Sequence, residues 1–355
     1  MRKVNKHIEI VRSSKGSLSS MSQKSRDSIS VVLSKHYARV GTTIVDDLSD
    51  LKALVALQPD LVFLGMKFIP SDVPSASSRT SKIWITDYLD EHGIVYTGSR
   101  QPAHELELNK SLAKQRVLEA GLDTSPFWVI KQNQLPISSH MGLTFPLFVK
   151  PADRGAGMGI DSDSVVHNYP QLRSKARSIA DELQSDSLLE EYLPGREFSV
   201  AILKNEQSSE FSVMPIELIA PPNKHGDRIL GKHVKSADTE RFCAVTDQII
   251  KTKVSDLALS VFQALGARDY GRIDIRLNRN GTPQFLEANL IPSLLRRFGN
   301  FPKACLLNLG LDYESMILHI VRLGLSRQLL LNETMPEPNI IGNLLLPELI
   351  PVSVA

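Results

Sequence analysis

The chain has 355 residues, of which 42% are hydrophobic and 23% charged, and its formal net charge is +2. That length allows two or three domains with cores of their own, and a balance so near neutral, with no basic run, excludes nucleic-acid binding driven by bulk charge. Cys243 and Cys305, the only two cysteines, lie outside any metal-ligand spacing and are expected as buried thiols in a reducing, cytoplasmic setting; neither a signal peptide nor a membrane span is expected.

Up to about residue 100, short apolar runs alternate with helical patterns. GTTIVDD and DLVFLGM read as buried strands, and LSDLKALVAL and SKIWITDYLDEHG as the helices between them, which implies an open parallel βα sheet. A helix near residues 104–120, the strand FWVI and a proline-bearing connector over 131–140 follow. A second block holds the strand FPLFVKPA, a helix near 169–183 and the strands SLLEEYL and REFSVAILKN. From about residue 206 come EFSVMPIEL, a polar loop, a helix near 246–265, a hairpin and a final helix near 313–325. The apolar tail NIIGNLLLPELIPVSVA is expected to pack onto the body. The fold class is α/β (α+β), with divisions expected at 1–103, 104–205 and 206–355.

The hairpin YGRIDIRLNRNGTPQFLEANLIPS raises a question of charge. Asn280-Gly281 is a strong signal for a two-residue turn. Such a turn sets Asp274 opposite Glu287 and Arg272 opposite Asn289 on one face, with Ile273, Ile275 and Leu277 opposite Leu286 and Ala288 on the other. Two facing carboxylates destabilise a ladder. Either a hard divalent cation sits between them, with Asn289 as a third oxygen ligand, or each pairs with an arginine, Arg272 and Arg276 being at hand.

Other stretches carry weaker signals. KPADRGAGMGI places Lys150 before a loop of Gly155, Gly157 and Gly159, whose amides can approach a phosphate or form a plain turn. LLEEYLPGREFSVAIL holds Glu190, Glu191 and Glu197 in either a solvated turn or a hinge that reads a flat base. Lys110 sits on a helix. His167, His225 and His233 lack ligand spacing, and no GxSxG or HExxH occurs.

Taken in order, NK at 109–110, FVKPADRGAGMG at 148–159, LLEEYLPGREFSVAIL at 188–203, GRIDIRL at 271–277 and LEANLIPS at 286–293 resemble the ATP-grasp enzymes, most closely the D-alanine–D-alanine ligase group. VYTGS at 95–99 resembles the end of that group's first domain. The resemblance covers about residues 95–325. It implies a three-domain ATP-grasp fold with ATP between the second and third domains. It implies that Lys110 and Lys150 touch phosphates, that Glu190 and the backbone of Glu191, Tyr192 and Leu193 read adenine, and that Glu197 binds ribose. Gly155, Ala156, Gly157, Met158 and Phe285 would complete the nucleotide site. Asp274, Glu287 and Asn289 would hold two Mg2+ ions, with Mn2+ as an alternative; Arg272 would stabilise an oxyanion and Lys232 would contact the γ-phosphate. Phosphorylation of a substrate oxygen, then displacement by an amine, would follow without a nucleophile from the protein. A homodimer acting on small molecules, with no nucleic-acid or membrane partner, is expected.

The departures fall on the other side of the cleft. SSKGSLSSMSQKS has serines where the family carries an acid for the first amine, and FIPSDVPSASSRTSKIWITDY replaces its histidine-glycine-glutamate-aspartate segment. Ala156 stands where the family has a loop serine, and SLLRRFGN brings Ser293, Arg296 and Arg297 to the substrate stretch. A serine-lined pocket with paired arginines suits a polyhydroxylated substrate bearing a carboxylate. The reading is similar to ligases that join serine or glycine to mycosporine-glycine through a vinylogous acid. An amide-forming dipeptide ligase, or a nucleotide-binding protein that has lost ligation, are the alternatives.

Overall fold

The chain opens with a parallel sheet ordered β2-β1-β3, formed by β1 (Val4–Arg12), β2 (Tyr37–Ile44) and β3 (Leu61–Leu64). This computed structural model describes residues 2–16, 18–71, 82–132, 134, 142–155, 157–223, 226–231, 234 and 239–334. β1 hides from a hydropathy reading because it alternates isoleucines with His7 and Glu9. Both polar side chains are buried, and they satisfy each other at 2.8 Å. Helices α1 (Gln23–His36), capped by Ser22, and α2 (Leu48–Ala56), closed by an Asp47–Asp50 capping box, connect the strands, as the βα alternation required.

Two helical expectations are corrected. The segment 82–93 begins as a strand, since β5 (Lys82–Trp84) pairs antiparallel with β4 (Phe68–Pro70) and Phe68 stacks edge-on against Trp84, before α3 (Ile85–Glu91) begins. The helix near 104–120 is two helices, α4 (Gln101–Leu108) and α5 (Lys110–Glu119). Asn109 leaves helical geometry and its side chain caps the amide of Leu112.

A second sheet, ordered β6-β9-β7-β8, comprises β6 (Phe127–Ile130), β7 (Leu147–Pro151), β8 (Val165–Val166) and β9 (Ser187–Glu191), with α6 (Tyr169–Leu183) packed on it. The third is antiparallel and ordered β12-β11-β10-β13-β14: β10 (Glu197–Lys204), β11 (Phe211–Ile219), β12 (Arg241–Ala244), β13 (Tyr270–Leu277) and β14 (Pro283–Asn289). REFSVAILKN, expected with the second block, is the central strand of this sheet, bonded to β11 and β13 along its length. Its residues Phe198, Val200 and Ile202 pack with α7 (Gln248–Ala264), while Ala201 and Leu203 join the core that holds α8 (Asn300–Leu309).

Helix α9 (Tyr313–Thr334) returns to the start of the chain. Met316, Ile317, Ile320 and Val321 share one core with Ile8, Ile10, Leu61 and Phe63. A Cβ at Gly324 would lie 2.5 Å from a Leu61 methyl, so the helix backbone meets β3 directly. Arg327 then ties Asp269 at 2.7 and 2.8 Å to the Tyr96 carbonyl, and Asp269 accepts from the Gly98 amide.

Cys305 is buried as expected, but Cys243 is exposed on edge strand β12. Among the described residues no single helix is long and apolar enough to cross a membrane. The tail 339–355 lies outside the described residues.

Candidate active site

The second and third sheets face each other across a cleft of about 1170 Å³ whose far end is lined by Gly16, Leu18, Ser19 and Ser20 after β1, by Lys67 after β3 and by Phe68 of β4. The ends of β7 and β9 supply the inner wall. Lys150 and Glu190 are 4% and 2% exposed, and the lysine nitrogen lies 2.6 Å from the carboxylate. Lys114, which sequence reasoning missed, reaches the other oxygen of Glu190 at 2.6 Å. Burial alone would raise the Glu190 carboxyl, but the two ammonium groups hold it below its ordinary value. Lys114 lies one helical turn beyond Lys110, and that spacing places both on one face, a signal the sequence did contain.

The hinge departs in part from expectation. Glu191 and Tyr192 amides donate to the Pro126 and Pro146 carbonyls, and the Glu191 carbonyl accepts from Ser125. Those amides are spent on the fold, which leaves Leu193 as the hinge amide for which the described residues supply no acceptor. Glu197 lines the cleft, where Arg276 holds it at 3.2 Å. Arg276 also bonds the Gly195 and Arg228 carbonyls and the Tyr192 hydroxyl, fixing the hinge to β13.

The glycine loop folds as two consecutive turns, Met158 N–H to the Gly155 carbonyl and Ile160 N–H to the Gly157 carbonyl. Gly157 and Gly159 take φ of 74° and 73°, which side chains resist. Gly155 and Met158 line the cleft and Gly157 is buried. Ala156 and Lys232 lie outside the described residues, as do His225 and His233. Lys110 is buried, with its nitrogen on the Arg154 carbonyl and 4.0 Å from Glu287. Desolvation lowers its pKa, and Glu287 opposes the shift.

The hairpin presents its acids to this cleft. Asp274 pairs with Glu287, and Arg272 with Asn289, on the cleft side. Arg272 grips Asp274 with two bonds of 3.0 and 2.8 Å, while Ser199 and Asn289 donate to the same carboxylate. The arginine pairing therefore exists alongside an oxygen-rich face. Phe285 is a correction. It is fully buried against α7, and Leu286 lines the cleft in its place. Arg296 and Arg297 are corrected as well. Arg296 sits over the Tyr313 ring beside α1, Arg297 is exposed with φ of 72°, and neither lines the cleft, which takes Ser293, Leu295, Phe298, Gly299 and Asn300 from that stretch.

A cation the sequence did not single out stands at the far end. Lys67 follows β3 and lies 3.0 Å from Glu107, which is itself held by His104 at 3.0 Å and by the Leu290 amide. Burial would raise Glu107, but Lys67 and His104 bring it down to about 2. Its place at the carboxyl end of a parallel strand is where open α/β sheets bind ligands, a rule that could have found it.

Comparison with known proteins bears on the family and the fold. The family described as D-ala D-ala ligase C-terminus matches residues 117–322. A D-alanine–D-alanine ligase of Bordetella petrii is 32% identical over 205 residues, and an uncharacterised protein of Sinorhizobium fredii is 30% identical over 210. These matches cover 57% and 58% of this chain, respectively, and the chain spans about 60% of the length of each relative. The crystal structure of D-alanine–D-alanine ligase from Bacillus anthracis complexed with ATP superposes with a TM-score of 0.69 at 17% identity, covering 91% of this chain and 98% of that one. The Coxiella burnetii ligase gives 0.64 at 13% identity, covering 93% and 96%. At such identities the superpositions establish the fold, which is the one the motifs implied.

Proposed function

Because the match spans more than half of its length, the chain belongs to the D-ala D-ala ligase C-terminus family, and from that premise we propose that it is an ATP-dependent ligase joining an amine to a carboxylate-type acceptor. The observation that carries the reading is one cleft that holds the Lys150–Glu190 hinge at one end and the Asp274, Glu287 and Asn289 face beside it.

Two carboxylates and an amide oxygen are the hard donors that magnesium takes, and they stand on neighbouring strands of one face, so the residues fit the ion. Asp274, Glu287 and Asn289 would hold the two Mg2+ ions, or Mn2+, which when bound supply Lewis-acid neutralisation of phosphate charge. The rest falls to the chain. Glu190 and the Leu193 amide address the base, Glu197 the ribose, and Lys150 and Lys110 the phosphates. Arg272, anchored on Asp274, offers its remaining donors to an oxyanion. Gly155 and Met158, which line the cleft, help to cover the site and exclude water. Lys232 is proposed at the γ-phosphate on the sequence resemblance alone.

The division into three units is proposed in the same sense, with the second boundary drawn before Glu197 because β10 belongs to the third sheet. The finer proposal is mycosporine-glycine as acceptor and serine or glycine as amine, in a cytoplasmic homodimer. With Arg296 and Arg297 outside the cleft, its support is the hydroxyl-bearing wall of Ser19, Ser20 and Ser293.

ADP and phosphate release in pooled amino acids, with and without a cyclohexenone acceptor, tests both levels. Release only with that acceptor supports the finer reading. Release with amino acids alone replaces it by amide formation. No release, with no ATP-dependent thermal shift, removes the ligase.

A further inference from the structure

Lys114 has no solvent exposure, and an ammonium buried that deeply is costly unless every donor is used. Its nitrogen lies 2.6 Å from Glu190, 2.6 Å from the Thr124 hydroxyl and 3.4 Å from the Phe285 carbonyl. Those partners belong to three separate parts of the fold. Glu190 is the penultimate residue of β9, Phe285 lies two residues before Glu287 on β14, and Thr124 lies between the two. Thr124 also donates to the Phe285 carbonyl at 2.8 Å.

The neighbours of Thr124 repeat the pattern. The Asp123 carbonyl accepts from the Phe285 amide, Ser125 donates to the Glu191 carbonyl, and the Pro126 carbonyl accepts from the Glu191 amide. Residues 123–126 are thus a strap from β14 to the hinge, and Lys114 sits at its crossing point. Leu286, the residue after the gripped carbonyl, is the extra residue of the β14 bulge, so the grip falls where the direction of Glu287 is decided.

We propose that Lys114 is a positioning residue that sets the spacing between the nucleotide hinge and the cation-holding strand, so that the two ends of one nucleotide are gripped together. This rests on the nucleotide and cation reading of the cleft given above. Stability alone does not call for such a group, because an apolar side chain of the same shape replaces a buried ion pair without loss in many proteins. The ammonium adds to the strap's bonds a side-chain link from Glu190 to the Phe285 carbonyl, which an apolar side chain cannot make.

Calorimetry separates the two ends. Adenosine reads the hinge alone, and Mg2+ titrated into the complex with a non-hydrolysable ATP analogue reads the acid strand. Lys114→Met should weaken both by about tenfold or more, the scale at which supporting groups act on metal sites. Thr124→Val keeps the Glu190 pair and removes the hydroxyl that joins Lys114 to the Phe285 carbonyl, leaving only the long 3.4 Å contact between them. It should weaken Mg2+ by about tenfold and leave adenosine within about twofold. A merely structural role lowers the unfolding temperature and leaves both constants of the folded protein unmoved. Parent-like constants in both variants overturn the proposal, and Thr124→Val decides alone if Lys114→Met does not fold. A parent that binds neither probe overturns the reading of the cleft, and this one with it.

Discussion

Asp274 stands directly opposite Glu287 across β13 and β14, although no two-residue turn puts it there. The ladder ends one step earlier, at Leu277 and Pro283, around a loop in which the Asn278 side chain accepts from the Asn280 and Thr282 amides. A bulge at Leu286 then restores the pairing.

The facing acids give the first prediction. Asp274→Asn and Glu287→Gln should each reduce ATP-dependent ADP release by about a hundredfold or more at saturating Mg2+, since each withdraws a charge from the cation site. The unfolding temperature should stay within a few degrees of the parent's. Normal turnover in either variant would remove the cation site.

On the nucleotide side, Lys150→Ala and Glu197→Ala should each shrink the thermal stabilisation given by ATP with magnesium. A ligand that binds only the folded state raises the midpoint in proportion to its affinity. Undiminished shifts in both variants would place the nucleotide elsewhere.

Glu107 predicts a pH dependence. Its carboxyl is held at about 2, below the usual carboxylate range, so its contribution is whole above the unfolded value near 4.5 and is lost as pH falls towards 2. Glu107→Gln should cost about 3 kcal/mol at neutral pH, the free energy of such a shift. Urea unfolding at falling pH should show the gap between parent and variant closing. A gap independent of pH would mean that folding does not lower the Glu107 carboxyl below its unfolded value.

Arg296→Ala is predicted to be silent. The side chain covers Tyr313 outside the cleft, so ATP affinity and turnover should stay within about twofold of the parent's, as for surface changes generally. A tenfold rise in the KM of the amine substrate would restore the carboxylate clamp that the sequence had suggested.

What was legible in the sequence follows the periodicities. The βα alternation rests on a local pattern that the fold preserves, whereas Asp274 faces Glu287 only because the bulge offsets a loop longer than the two-residue turn. The exchange of Phe285 and Leu286 was not legible, because one inserted residue reverses which side chains face the core and nothing in PQFLEAN marks it. REFSVAILKN was placed with its sequence neighbours, although its hydrogen bonds go to strands that come later in the chain. For SLLRRFGN, direction is set by the left-handed turn at Arg297, a conformation that an arginine does not advertise.

The packing of α9 on the first sheet has a consequence for the chain while it is being made. β3 leaves the ribosome roughly 250 residues ahead of the helix that covers it, and at about 5–20 residues per second the wait is on the order of ten seconds or more. For that time Leu61 and Phe63 lack the partners that Met316, Ile317 and Ile320 later provide, and the seat for Gly324 stays open. The newborn amino-terminal unit therefore keeps part of its apolar core uncovered until α9 emerges.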